Sequence, residues 1–251
     1  MKVVILAAGR GKRMGEHTQA TTKAMLPIQT DNGNHKFATK PMLQITIERF
    51  IECGFNDFVI VVGYRKNDII THFGNGSSYH ATIKYVTQKH ICAGTADAVN
   101  CAKYFFDGDA SGCESFVLVF GDVVPSIADI RSLHNKYVLS LCAVMGVRRV
   151  SDPHRYGVVE LDTATNEKIV RIVEKSPNPP SNLINAGLYV FPIEIFDHIR
   201  KTGLSVRGEY ELTDSIQMMI DAGRVIVKVQ DVQGVQDIGT KEIYEAIKAN
   251  N

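Results

Sequence analysis

The chain has 251 residues, with 28 Lys and Arg set against 27 Asp and Glu for a formal net charge of +1. That length suits one large α/β domain with a sizeable core, and the even charge balance gives no global electrostatic reason to expect a nucleic acid or an anionic membrane as partner. The N-terminal apolar run from Val3 to Ala8 is too short for a signal-peptide core or a membrane span, and the cysteines at 53, 92, 101, 113 and 142 form no C-x-x-C, which points to a reducing, cytoplasmic setting.

Val3 to Ala8 and Phe58 to Val62 are continuous β-branched and aromatic runs, expected of neighbouring parallel strands covered on both faces. Directly after the first run stand Leu6-Ala7-Ala8-Gly9-Arg10-Gly11-Lys12-Arg13-Met14 and then Thr22-Lys23-Ala24-Met25-Leu26-Pro27. Glycines let the backbone take positive φ and bring its N–H groups close to an anion, and Arg13 and Lys23 add the charge a polyphosphate needs. A dinucleotide fingerprint fails because Met14 stands at its third glycine. A Walker loop fails twice, with Leu6 at its first glycine and Arg13 at its Ser or Thr. The plain alternative is a turn that only reverses the chain, and the neighbouring cations favour anion binding over it.

The polar stretch from Gln29 to Thr39 predicts a mobile surface loop. Pro41 at a first helical position, with Leu43, Ile47, Phe50 and Ile51 at helical spacing, predicts a helix ending near Gly54. A helix near Asn67 to Phe73, a strand near Ile83 to Val86, a helix starting at Thr95 as N-cap and a strand Phe116 to Phe120 follow. This alternation predicts an α/β fold with a doubly wound, Rossmann-like, mostly parallel sheet and ligands at the carboxyl ends of its strands.

From Val138 the pattern changes. Ser140 to Val147, Gly157 to Leu161, Ile169 to Val173 and Asn185 to Phe191 read as short strands of a small antiparallel extension. Helices near Pro192 to Lys201 and Leu212 to Ala222, a strand Val225 to Val229 and a helix from Thr240 complete the reading. Two aspartates attract notice: Asp122, just past a strand in Val119-Phe120-Gly121-Asp122, and Asp237 in Val235-Gln236-Asp237-Ile238-Gly239-Thr240. Two carboxylates with substrate phosphates are a usual way to hold Mg²⁺, whereas each Asp alone would read as a turn or cap.

The glycine turn and Lys23 together resemble the signature of the nucleotide-sugar pyrophosphorylases, the NTP-transferase family, in which L-A-A-G-x-G-T-R-M/L is followed by P-K-x-L-x-P. The spacing of ten between Arg13 and Lys23 is similar to that of the hexose-1-phosphate uridylyl-, thymidylyl- and guanylyltransferase branches. Lys12 departs from the usual threonine, Thr22 from the usual proline, and Val235 from the tryptophan of W-x-D-x-G-T. The resemblance implies the nucleotide-diphospho-sugar transferase fold as one nucleotidyltransferase domain, with residues 1–137 as its nucleotide-binding half and 138–251 as its sugar-binding half. It implies that a sugar 1-phosphate attacks the α-phosphate of a nucleoside triphosphate, UTP or dTTP with glucose 1-phosphate first in line. No C-terminal left-handed β-helix is expected, and a homo-oligomer is compatible with the family.

Carried over residue by residue, the resemblance gives Leu6, Ala8, Gly9, Gly11, Lys12, Arg13, Gln88, Gly94 and Thr95 to the nucleotide. Gly157, Glu174, Lys175 and Asn185, from Y-G, E-K and N-A-G, go to the sugar 1-phosphate, and Asp122 and Asp237 to Mg²⁺. Arg13, Lys23, Asp122 and Lys175 form the catalytic set; the run Glu209-Tyr210-Glu211-Leu212-Thr213-Asp214 is expected to support the site and subunit contacts. A cytidylyltransferase for an aminoalcohol phosphate and a non-catalytic nucleotide-binding module remain alternatives. A nicotinamide dehydrogenase is disfavoured by Met14 and by Gly63 where an acidic residue would end the second strand.

Overall fold

Alternate residues of β1 (Lys2–Ala7) face opposite sides, and both sides are covered. Val3, Ile5 and Ala7 pack with the helices α1 (Met42–Glu52) and α2 (Lys66–Phe73), whereas Val4 lies in the cluster built around the later helices. The computed structural model describes the chain apart from residues 19, 32–36, 91–92, 108–113, 224–227, 233–235, 238–243 and 246–251, and apart from the side chains of 12–13, 31, 37, 228–231 and 236–237.

Ahead of α1, β2 (Pro27–Asp31) and β3 (Phe37–Pro41) form a hairpin; after it come β4 (Asp57–Val62), β5 (Thr82–Thr87), α3 (Thr95–Cys101), β6 (Ser115–Phe120) and the short β7 (Val123–Val124). The second half runs α4 (Ile127–Ser140), β8 (Val144–Arg149), β9 (Gly157–Leu161), β10 (Ile169–Glu174), β11 (Leu183–Pro192), α5 (Ile195–Ile199), α6 (Leu212–Asp221), β12 (Lys228–Asp231) and β13 (Gln236–Asp237).

The parallel strands lie in the order β5-β4-β1-β6, the first half of a doubly wound sheet, with the direction of winding reversing between β1 and β6. The antiparallel part begins on the far side of β6, where β11 pairs with it and then with β8 and β9, and β10 closes that edge. β12 adds to β8 in parallel, a pairing outside the antiparallel pattern expected there. One face of the sheet is covered by α1, α2 and α4, and the other by α3, α5 and α6 with Phe106, Phe116, Phe191 and Phe196 packed together.

Several elements differ from expectation. The stretch 29–39, expected as a loop, enters both strands of a hairpin, with Gln29 opposite Thr39; the main-chain ladder holds it where side-chain composition gives no sign. Pro41 is the residue before α1 rather than its first helical position. Helix α4 was not expected at all, and it absorbs the start of the strand expected from Ser140, which begins only at Val144. Its N-terminus is a capping box, in which Ser126 accepts from the Asp129 N–H and the Asp129 carboxylate accepts from the Ser126 N–H. The helix expected over Pro192 to Lys201 spans only Ile195–Ile199. The strand expected at Val225 to Val229 is found at Lys228–Asp231, residues 225–227 lying outside the described part with 240–243 of the closing helix.

Candidate active site

At the carboxyl ends of β1 and β6, where the winding reverses, the molecule opens into a cleft of about 450 Å³, a volume typical of small-molecule sites. Its floor is Leu6, Ala8, Gly9, Gly11, Lys23 and Asp122. Gln88, Gly94 and Thr95 line one wall, and Gly157, Glu174, Lys175 and Asn185 the other. Residues from 6 to 187 are thus gathered by a single sheet. The side chains of Lys12, Arg13 and Asp237 lie outside the described part, but the backbone of 12–18 forms a helical turn directly beyond Gly11.

That turn is tied back on itself. The Met14 N–H and the Thr18 hydroxyl both donate to the Gly11 carbonyl, at 2.8 and 3.1 Å. Gly11 has φ +61°, and a Cβ there would sit 3.0 Å from the Lys23 Cβ, so its lack of side chain lets Lys23 cross the loop. The Lys23 ammonium then forms an ion pair with the Asp122 carboxylate, which joins the glycine turn to the end of β6. Asp237 is paired in the backbone register with Val123, so it lies opposite the residue that directly follows Asp122 in the turn between β6 and β7.

On the wall that carries Gln88, this residue is 5% exposed, and its amide NH₂ donates to Asp97 Oδ2 at 2.8 Å and to the Gly94 carbonyl at 3.2 Å. Thr95 is not the N-cap of α3; Gly94 holds that position with φ +108°. The Thr95 hydroxyl instead accepts from the Leu212 N–H at 3.0 Å, at the start of α6. Gly94 is required by the same contact, because a Cβ there would overlap the main chain of Tyr210, 2.6 Å from its nitrogen. Tyr210 is held to this turn through both its N–H, to Ala93, and its carbonyl, from Ala96.

On the opposite wall, the Glu174 carboxylate accepts from Thr213 Oγ1 and Arg207 and pairs with Lys175 Nζ, all at 3.2–3.3 Å. Lys175 has φ +45°, an uncommon conformation for a residue with a side chain and costly by about 1–3 kcal/mol, which turns the chain sharply at the site. The Asn185 carbonyl oxygen accepts from the Gly187 N–H at 2.9 Å and the Tyr189 hydroxyl at 2.6 Å. Two donors at that end leave the Asn185 NH₂ as its other hydrogen-bonding group. Tyr189 is fully buried, which pushes its hydroxyl pKa upward and keeps it protonated.

Arg148, Arg155 and Arg207, which were not expected in the site, also line it, together with Glu209, Glu211 and Thr213 of the run expected to support it. Arg207 contacts Glu209 at 3.0 Å and Glu211 at 3.5 Å besides Glu174. Burial, then Glu174, raises the pKa of Glu211, with Arg207 acting against both. The available signal was Arg207-Gly208 immediately before the run Glu209 to Asp214, which already stood out in the sequence.

Comparison with known proteins agrees with this arrangement. A family model described as nucleotidyl transferase matches residues 2–251. The Bifunctional protein GlmU of Methanocaldococcus jannaschii is 37% identical over 225 residues, covering 90% of this chain and 48% of that protein. The chain spans about half the length of several curated relatives that it matches. The UTP–glucose-1-phosphate uridylyltransferase of Bacillus subtilis is 33% identical over 270 residues, covering 96% of this chain and 87% of that one. Among solved structures, a UDP-glucose pyrophosphorylase complexed with UDP-glucose superposes with a TM-score of 0.82 at 24% identity over 99% of this chain and 97% of that one, a likeness of fold. With its signature turn, its sheet order and its motif residues around one cleft, the chain belongs to the nucleotidyl transferase family.

Proposed function

We propose that this chain is a sugar-1-phosphate nucleotidyltransferase, which joins a nucleoside triphosphate to a hexose 1-phosphate and releases pyrophosphate. UTP or dTTP with glucose 1-phosphate is the pair we favour, in keeping with the printed activity of the Bacillus subtilis relative. The observation that carries the reading is the shared cleft: a cation-bearing glycine turn, Gln88, Glu174 with Lys175, and Asn185 face one volume at the sheet's switch point.

The reaction needs no protein nucleophile. An oxygen of the sugar phosphate attacks the α-phosphorus in line, the bond to the β-phosphate breaks, and pyrophosphate departs with the electron pair. The protein's task is to position two anions and neutralise their charge. Backbone N–H groups near Gly9 and Gly11 meet the triphosphate, with Lys12 and Arg13 countering charge on the leaving pyrophosphate. Lys23 serves the α-phosphate, Lys175 the sugar phosphate, and Glu174 and Asn185 the sugar hydroxyls. Arg207, a planar donor fork on the same wall, adds a cation suited to a phosphate.

The residues fit Mg²⁺. Asp122 lies between β6 and β7, one residue before the register partner of Asp237, aspartates offer hard oxygen ligands, and the Asp122 carboxylate pairs with a cation in the Lys23 ammonium. The chemistry that the ion supplies in such a place is charge neutralisation between phosphate oxygens. The test is pyrophosphate release from five nucleoside triphosphates, each with several hexose 1-phosphates and with phosphocholine, with and without Mg²⁺. Turnover confined to hexose 1-phosphates and abolished by EDTA supports the reading; turnover of phosphocholine, or binding with no turnover of any pair, overturns it.

A further inference from the structure

The amide of Gln88 lies between two groups that can only accept hydrogen bonds. Gln88 follows β5, is tied to the sheet by its N–H to the Val62 carbonyl at 2.8 Å, and has its side chain almost wholly buried. Its Nε2 meets a carboxylate oxygen of Asp97, in the first turn of α3, and the carbonyl of Gly94, the residue before that helix. A carboxylate and a main-chain carbonyl have no proton to offer. The reversed amide would set its oxygen against both of them, so the NH₂ is held inward. The hydrogen-bonding group left to Gln88 is then its carbonyl oxygen, an acceptor on the cleft wall. The Asp97 contact is the shorter of the two and is charge-assisted, so it carries most of this preference.

We infer that Asp97 is a positioning residue that fixes the hydrogen-bonding sense of Gln88 and, through it, the choice of nucleobase. The inference rests on the reading above that a nucleotide base lies against this wall. An acceptor there is complemented by a ring N–H, as at N3 of uracil or thymine. Cytosine, of the same size, carries a lone pair at N3, and in the same pose two acceptors would face each other and repel, its 4-NH₂ donor reaching the amide only after the base shifts. Base discrimination therefore originates in α3, one residue removed from the base itself.

The whole protein and its Asp97→Ala and Asp97→Asn variants are compared for UTP and CTP, by calorimetric binding and by kcat/KM with glucose 1-phosphate. The parent should prefer UTP. Asp97→Ala should narrow the UTP:CTP ratio about tenfold, the scale of losing one charge-assisted hydrogen bond, with the KM for glucose 1-phosphate held within about twofold. Asp97→Asn, whose amide can still offer an oxygen to Gln88, should recover most of the preference. A ratio unchanged in Asp97→Ala, or a parent that binds CTP as well as UTP, overturns the inference and leaves the proposed reaction standing. Tight UTP binding without turnover of any sugar 1-phosphate withdraws the reaction, while the binding ratios still decide the role of Asp97.

Discussion

Gly9 and Gly94 both line the cleft, and the space around them assigns them different duties. A Cβ on Gly9 meets nothing within 4 Å and its φ is not positive, so Gly9→Ala should fold with an unchanged melting temperature. The open space it would fill is the cleft, so its KM for the nucleoside triphosphate should rise by an order of magnitude or so, about the effect of displacing one close backbone contact to phosphate. Gly94→Ala meets the main chain of Tyr210 and a φ of +108°, and urea unfolding should show a loss of about 1–3 kcal/mol. Asp122→Asn keeps the shape at the end of β6 and removes the charge that pairs with Lys23. Pyrophosphate release should fall by about two orders of magnitude while circular dichroism and melting stay as in the parent. Near-normal turnover of that variant would remove Asp122 from the reaction.

At the scale of elements, Glu211 stands just before α6 and is 4% exposed, with its carboxyl pKa raised by burial and by Glu174. A raised carboxyl pKa means that the stabilising contribution of the neutral form is complete below the ordinary value, about 4.3, and is lost as pH rises through the raised one. Glu211→Gln, which stays neutral, should therefore melt about 2–4 °C above the parent at pH 8 and no higher at pH 4. Equal melting at both pH values would mean that Arg207 compensates the buried charge in full. Ser126→Ala, which removes the capping box of α4, should cost about 1 kcal/mol in urea.

The elements that could be read from the letters are those whose side chains declare their surroundings. β1, β4 and β6 are apolar runs buried along nearly their whole length, and their positions were legible to within a residue or so. Helix α4 was not, because few of its residues are deeply buried and its last residue, Ser140, with the exposed apolar Leu141 after it, reads as the start of a strand. The β2–β3 hairpin was hidden for the opposite reason, since main-chain pairing holds a segment of polar side chains. In the site, the motifs next to strands were placed by their resemblance to the family's signature. Arg207 and the contacts of Asp97 could not be placed that way, because Arg207 meets Glu174 only once β10 and the segment before α6 pack together, and Asp97 meets Gln88 only once α3 is set against the end of β5.

For the whole molecule, the cleft lies along the seam between the parallel strands and the antiparallel part, and substrate bound there touches both. A nucleoside triphosphate at a hundred times its dissociation constant should add about 2.7 kcal/mol to the unfolding free energy, seen as a rise in melting temperature of roughly 5–10 °C. A rise that saturates below about 1 °C would mean that the folded chain does not bind the nucleotide in preference to the unfolded one.

Strand β7 waits a long time for its partner. Val123 and Val124 are followed by more than a hundred residues before Gln236 and Asp237 arrive to pair with them. On a translating ribosome, β1, β4, β5 and β6 can all emerge and assemble while the rim beside Asp122 is still bare. The nascent chain is thus able to acquire its scaffold well before it can acquire that rim, so the emergence of Gln236 and Asp237 sets the moment at which the site is complete.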